Sequence, residues 1–285
     1  MAQIGESQAG SSPKSEGLRI YTLQSGYLSG TENMALDEAL LECLREQPEP
    51  TLIVRTYCWE EPTLSLGVNQ QVRDIHFLLD FYGAQATGAG SMALPSEKKS
   101  PVRAVVRRPT GGRAILHGED ISYSFITNDP LVLKHSLKDS YAIYAEMVRQ
   151  ALQELALAVQ AADDAGNRDY LRSPVCFETH TPSDLLGGDG KKLTGSAQLR
   201  RHGGLLQHGA AFLAPYGITE DSFSRALFAA AERAFHQQAE SFPAELREAV
   251  QPGYQALQAD YARVSGEILA SVPTISGSHF EPASF

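Results

Sequence analysis

The stretch "CFETHTPSDLLGGDGKKLTGSAQ", Cys176 to Gln198, sets a cysteine, a glycine-rich turn, two lysines and a run of small residues close together. A free thiol has a pKa of about 8.5 and is only a few per cent thiolate at neutral pH, so a reactive cysteine needs a neighbouring cation. Lys192 is the candidate: its ammonium would lower the Cys176 pKa and then help hold an oxyanion, aided by backbone N–H groups of the glycines. Such a pair suits covalent, nucleophilic catalysis. The plainer readings stand beside it, Cys176 as a buried loop thiol and Lys192 as a surface hairpin lysine.

A second group lies in "RRPTGGRAILHGEDISYSF" and "LLQHGAAFL". Gly111 and Gly112 either let a ligand approach the backbone closely, where a Cβ would fill the space, or form a simple hairpin turn. His117 and His208 are candidates for pocket walls or proton carriers, although a histidine on a strand is commonly a satisfied structural residue. Two short windows, Lys98 to Arg113 and Lys191 to Arg201, hold ten of the 24 basic residues and no acidic one. Paired in space they would make an electropositive, glycine-lined cleft for an anion; unpaired, they are two solvated faces. "GGDGKKL" is not a P-loop, because its glycine spacing is too short and no Ser or Thr follows the lysine.

These residues need elements to position them. "LRIYTL" reads as the first strand; "SGTENMALDEALLECLREQP" reads as a helix capped by Ser29 and Glu32, with Cys43 in its apolar face. "TLIVRTYCW" and "PTLSLGVNQ" read as strands, the first making Cys58 a small buried hydrophobe. Strand, glycine turn, strand follows from "PVRAVVRRPTGGRAILHGEDISYSFI", with alternation in "ISYSFI". "SLKDSYAIYAEMVRQALQELAL" is an amphipathic helix whose aromatic and methionine stripe is core. Asp189-Gly190 predicts a β-hairpin that puts Lys192 on the returning strand, and "KLTGSAQL" pairs with "LLQHGAAFL" across a turn at residues 202–204 as a small antiparallel ladder. Beyond Ile218 the chain reads as mostly helical.

The 285 residues, 42% of them hydrophobic, allow one large domain with insertions. The expected organisation is a disordered tail over 1–17, a catalytic domain over 18–235 with a flexible insertion at 83–100, and a helical C-terminal extension over 236–285. A formal net charge of −10 argues against nucleic acid as a partner. The three cysteines are too few and too scattered for a disulfide framework or a zinc site, and no apolar run serves as a leader or a membrane span. The expectation is a cytoplasmic protein with no metal and no membrane partner.

Taken together, the motifs resemble the lipoate-protein ligase and octanoyltransferase family of the biotin/lipoate ligase superfamily. "RRPTGGRAILHGEDISYSF" is similar to its Arg-Arg, Gly-Gly, His block, "KLTGSAQ" to its lysine block, and "LLQHGAAFL" to the strand closing the pocket; "GTENMALDEALL" and "PTLSLG" match its N-terminal helix and strand. The resemblance runs from about Leu18 to about Phe235. It implies an α+β fold of the biotin/lipoate ligase catalytic-domain type: a mixed β-sheet flanked by helices, with a small antiparallel sheet. A cysteine upstream of the lysine resembles the octanoyltransferase branch, as does "GGR" where ligases often have "GGG". Departures are the insertion at 83–100, the lengthened "GGDG" turn, and Thr and Pro in "THTPSD"; they bear on acceptor choice.

The resemblance implies that Cys176 takes an octanoyl group from octanoyl-acyl carrier protein and a lysine of a lipoyl domain then accepts it, without ATP or other cofactor. Gly195, Ser196, Ala197 and Gln198 would wall the acyl pocket, and Arg107 and Arg108 would grip the carrier's phosphopantetheine arm or acidic surface. Three alternatives follow from the same residues: an ATP- and magnesium-dependent lipoate ligase using Lys192 and the arginines on phosphate, an amidotransferase moving octanoate between lipoyl domains, and a non-catalytic binding module.

Overall fold

A computed structural model describes residues 16–71, 78, 102–162 and 184–271. Cys176, Lys98, Lys99, the stretch 83–100, nearly all of the 1–17 tail and the residues after 271 lie outside the described set.

Strand β1 (Arg19–Leu28) leads into helix α1 (Gly30–Arg45). The Ser29 hydroxyl accepts from Glu32 N–H at 3.3 Å, and the Glu32 carboxylate accepts from Ser29 N–H at 2.9 Å. This reciprocal cap fixes where the helix starts. Leu40 and Leu44 are fully buried, and Cys43 packs half-buried beside them. Every residue of β2 (Thr51–Trp59) is buried, as is every residue of β6 (Ile121–Thr127), so "ISYSFI" shows no burial alternation: it is a central strand covered on both sides.

The main sheet has eight strands in the order β11-β1-β2-β6-β10-β9-β8-β7. Its remaining members are β7 (Val159–Ala161), β8 (Leu185–Gly187), β9 (Lys192–Arg201), β10 (Gly204–Ala211) and β11 (Ala239–Ser241). β1 runs parallel to β2 and β11, and the other pairings are antiparallel. The predicted β9–β10 ladder is present, joined by His202 and Gly203, both at positive φ as the tight hairpin turn requires. It belongs to the large sheet, however.

The small sheet is built elsewhere, from β4 (Ala104–Arg107), β3 (Thr63–Leu66) and β5 (Ile115–His117), and it is mixed. β3 lies between β4 and β5, so the glycine turn expected to join those strands directly is instead a loop over 108–114.

Helices α2 (Pro130–Lys134), α3 (Leu137–Glu154) and α4 (Glu220–Phe235) follow; α3 and α4 cover one face of the large sheet. There Phe125, Tyr144, Met147, Phe223 and Leu227 form the largest apolar cluster. The opposite face carries α1, against which packs α5 (Ala244–Ala270). The second C-terminal helix expected from sequence therefore starts earlier and runs through Pro252, and β11 precedes it as an edge strand. α5 is tied into the body: the Tyr261 hydroxyl donates to Glu38 at 2.6 Å, and Ile268 joins the core beside β3. No helix among the described residues is long and apolar enough to cross a membrane.

Candidate functional site

Strand alternation decides what can face the site. In β2, Leu52, Val54 and Cys58 point to the apolar α3–α4 side, while Arg55, Tyr57 and Trp59 point to the α1 side. β10 sends Leu206, His208 and Ala210 to that same side. Between α1, the large sheet and the small sheet lies a narrow cavity of about 30 Å³, lined among others by Met34, Trp59, His117, Ala197 and His208. That is room for about one water, so a longer ligand must part the walls.

A buried polar network holds these walls. Arg55, wholly inaccessible, donates to Asp37 at 2.6 Å, to the Asn33 side chain at 2.7 Å and to Ser25 at 2.9 Å, and its guanidinium lies 4.0 Å from the Tyr57 ring centroid. Asp37 also accepts from Ser124 at 2.8 Å and from His208 Nδ1 at 3.1 Å. Burial alone would push the Asp37 carboxyl up, but Arg55 and His208 hold it below the usual carboxylate range. Burial pushes His208 down, which favours the neutral ring. With Nδ1–H directed at Asp37, His208 Nε2 accepts from the Thr110 hydroxyl at 2.7 Å. His208 is thus a cavity wall with both nitrogens engaged.

His117 has the same design. Its Nδ1 lies 2.9 Å from Asp120, whose carboxyl burial would raise but which His117, Ser122 and the Gly118 N–H hold down. Its Nε2 lies 2.8 Å from Ser65 Oγ, and the ring stacks on Trp59 at 3.9 Å. The order Ser65, His117, Asp120 has the connectivity of a hydrolase triad, yet Ser65 is fully buried and its Oγ accepts from Arg108 at 2.8 Å. It serves as a strut.

Among the described residues, Arg107, Arg108, Arg200 and Arg201 are spent on other segments of the chain and do not line one electropositive cleft. Arg107 donates to the carbonyls of Gly67, Val68 and Gln70, fastening the loop after β3. Arg108 is buried in the wall, on the carbonyls of Ser65, Gly111 and Arg113. Arg200 binds the start of α3 through His135 O and Ser140, and Arg201 pairs with Glu38 and Glu42. Gly112 adopts φ +87° at the cavity, and a Cβ on Gly67 would fall 2.1 Å from Gly112 O, so backbone meets backbone here. Gly111 has open space around its missing Cβ and serves through its carbonyl.

Of the small-residue run, Gly195 and Ala197 face the cavity. Ser196 contributes only its backbone to that wall, since its Oγ lies 2.8 Å from Tyr123 Oη on the other face. Gln198 also turns away, bonded to Ser140 and Gln207. Lys192 is neither exposed nor a surface hairpin residue: its side chain is 7% accessible and its Nζ lies 2.8 Å from Asp184, itself 4% accessible. A Cβ on Gly195 would fall 2.9 Å from Lys192 Cε and 3.1 Å from Nζ, so the glycine makes room for the amine at the cavity edge.

Sequence reasoning missed Asp184, Asp37, Asp120 and Arg55. The signal for one pair was present: an arginine inside "TLIVRTYCW" demands a buried carboxylate, and Asn33 and Asp37 share a helix face one turn apart. A broader cleft of about 550 Å³ on the other face is lined by Tyr27, Cys58 and Glu220. Burial pushes the Cys58 thiol up to about 12, so it is an inert core thiol.

Residues 29–252 match the description "Lipoyl protein ligase A/B catalytic domain". The chain is 38% identical over 200 residues to octanoyltransferase LipM of Lysinibacillus sphaericus (strain C3-41), covering 68% of this chain and 65% of that protein. It is 34% identical over 194 residues to octanoyltransferase LipM of Moorella thermoacetica, covering 67% and 64% respectively. The chain thus spans just under two thirds of the length of these relatives. Among solved structures, lipoate-protein ligase A bound with ATP superposes with a TM-score of 0.62 over 86% of this chain and 95% of that one, at 17% identity, which speaks for the fold alone.

Proposed function

This chain belongs to the lipoyl protein ligase A/B catalytic-domain family, and from that membership we propose that it is an octanoyltransferase working through Cys176. The thiolate attacks the carbonyl carbon of an octanoyl-carrier thioester; the carbon–sulfur bond to the carrier breaks and the carrier thiol leaves with a proton. The neutral amine of a lipoyl-domain lysine then attacks the acyl-enzyme, an amide forms, and the cysteine returns as a thiol. One thioester replaces another with little change in free energy, and the closing amide step runs downhill, so ATP is not required.

The observation that carries this reading is Lys192, a buried ammonium held against Gly195 beside a mostly apolar cavity. A cation there favours both a thiolate and the oxyanion formed on attack, and water exclusion strengthens it. The names of the curated relatives support the acyl group and the transfer.

The test is to mix the purified full chain with octanoyl-carrier protein in the absence of ATP and weigh the intact protein. The expected result is a gain of one octanoyl group, absent in Cys176→Ser and discharged by an added lipoyl domain. Modification of the lipoyl domain that requires ATP and free acid, and survives Cys176→Ser, would overturn the reading in favour of a ligase. Octanoylation of Cys176 from an octanoyl lipoyl domain but not from the carrier would make the protein an amidotransferase.

A further inference from the structure

The β8–β9 hairpin contains an irregularity with consequences for the site. Leu185 pairs with Thr194 and Leu186 with Lys192, so two residues advance on β9 for one on β8 and Leu193 is the extra residue of a β-bulge. Downstream of it, Thr194 and Ser196 lie on the face of Tyr123, and Gly195 and Ala197 lie on the cavity face. In an unbroken strand Lys192 would share the face of Thr194, because even and odd positions alternate. The bulge removes that step, and Lys192 lies instead with Gly195, over which its aliphatic stem folds.

Asp184 meets it from the start of β8. Its backbone carbonyl accepts from Ala162 N–H at 3.0 Å, anchoring the residue to the chain just past β7, and its carboxylate lies 2.8 Å from Nζ. An Asp184 oxygen is also 3.5 Å from the position a Gly195 Cβ would take. Carboxylate, amine and glycine are therefore one packed unit.

We propose that Asp184 and the Leu193 bulge are a positioning device that turns Lys192 onto the cavity face and fixes its ammonium there. The device rests on the octanoyl-transfer reading only for the identity of the sulfur and acyl group that Lys192 serves; the placement of the amine stands by itself. Asp184 acts through Lys192 and is a positioning residue.

Two readouts separate these layers. The first is competitive labelling of the full chain with acetic anhydride across pH, read by peptide mass spectrometry, with the exposed Lys134 and Lys138 as internal references. In the parent protein Lys192 labels more slowly than the references; in Asp184→Asn its labelling rises and its titration moves to lower pH, while the references stay unchanged. The second readout is single-turnover octanoyl transfer, for which Asp184→Asn is expected to lower the rate constant by about 100-fold with little change in half-saturating carrier. Asp184→Glu should restore part of both.

Gly195→Ala, which displaces the amine from the opposite side, covers the case in which Asp184→Asn does not fold. It should also change the Lys192 labelling curve. Labelling of Lys192 that stays superimposable on the parent curve in Asp184→Asn, or in Gly195→Ala where the first variant is lost, overturns the proposal. A shifted labelling curve with no octanoyl transfer by the parent protein would sustain the positioning role and discard octanoyl transfer.

Discussion

The two faces of the eight-stranded sheet are built on different principles. Toward α3 and α4, the buried side chains are almost all apolar: Phe125 stacks on Tyr144 at 4.6 Å, and Phe223 and Leu227 fill the space beneath. Polar contacts there join neutral groups, Thr56 with Ser224 at 2.8 Å, Tyr123 with Ser196 at 2.8 Å, and Gln198 with Ser140 and Gln207. Toward α1 the same strands bury Arg55 and His208 close to a cavity, with Asp37 meeting both from the helix. Close packing of hydrocarbon tolerates repacking and yields stability, whereas a fully bonded polar network has one correct geometry and is costly to break. The cavity lies on the face where side chains are held by direction rather than by volume alone.

The sharpest way to break this contrast is Asp37→Ala. It leaves the Arg55 guanidinium buried beside a lost partner and also frees His208, and it should cost about 3–5 kcal/mol, read by urea denaturation. A loss below about 1 kcal/mol would mean that water already reaches the network. Leu227→Ala, on the apolar face, should cost about 2–5 kcal/mol by the same measurement. It should leave the Lys192 labelling curve untouched where the protein remains folded. If both variants disturb Lys192 equally, the two faces are not independent.

Acid should separate the faces next. His208 has a folded pKa below its ordinary value, so its contribution is complete above about pH 6.5 and declines as pH falls below that value. Asp37 and Asp120 have folded pKa values below the usual carboxylate value; their contribution is complete above about pH 4 and is lost as pH falls through the folded values. The melting temperature should therefore hold steady down to about pH 7, decline gently below about 6.5 and fall steeply below about 4. His208→Gln should remove the gentle stage alone; its persistence would assign that stage to another group. The smallest effect belongs to the helix caps: Ser29→Ala and Thr219→Ala should each cost about 1 kcal/mol, with only the first, at the head of α1, altering Lys192 labelling in any degree.

Much of the architecture was legible because it is local. The capped α1, the β-branched run of β2, the amphipathic α3 and the two glycine turns around β9 each carry their signal within a dozen residues. The small sheet was placed wrongly because strand partners are chosen at long range: β3 recruits β4 and β5 across long separations, while the β9–β10 hairpin finds a ready edge on β6. At the site, residue types were readable and their directions were not. Arg107, Arg108, Arg200 and Arg201 look alike in sequence, yet all four are absorbed by carbonyls or carboxylates of other segments. Lys192 owes its orientation to a bulge that no composition reveals, and its partner Asp184 is one acidic residue among 34.

The contact between Tyr261 and Glu38 spans 223 positions of the chain. On a translating ribosome, at about 5–20 residues per second, the carboxylate of Glu38 emerges roughly 10 to 45 s before the phenol that will cap it. Arg201, which shares Glu38, arrives 163 positions after it and so precedes Tyr261. The half of the molecule that carries the cavity is thus completed among the last events of synthesis, and a nascent chain stalled ahead of α5 has Arg201 for Glu38 and Glu42 but leaves the side of α1 that α5 packs against uncovered.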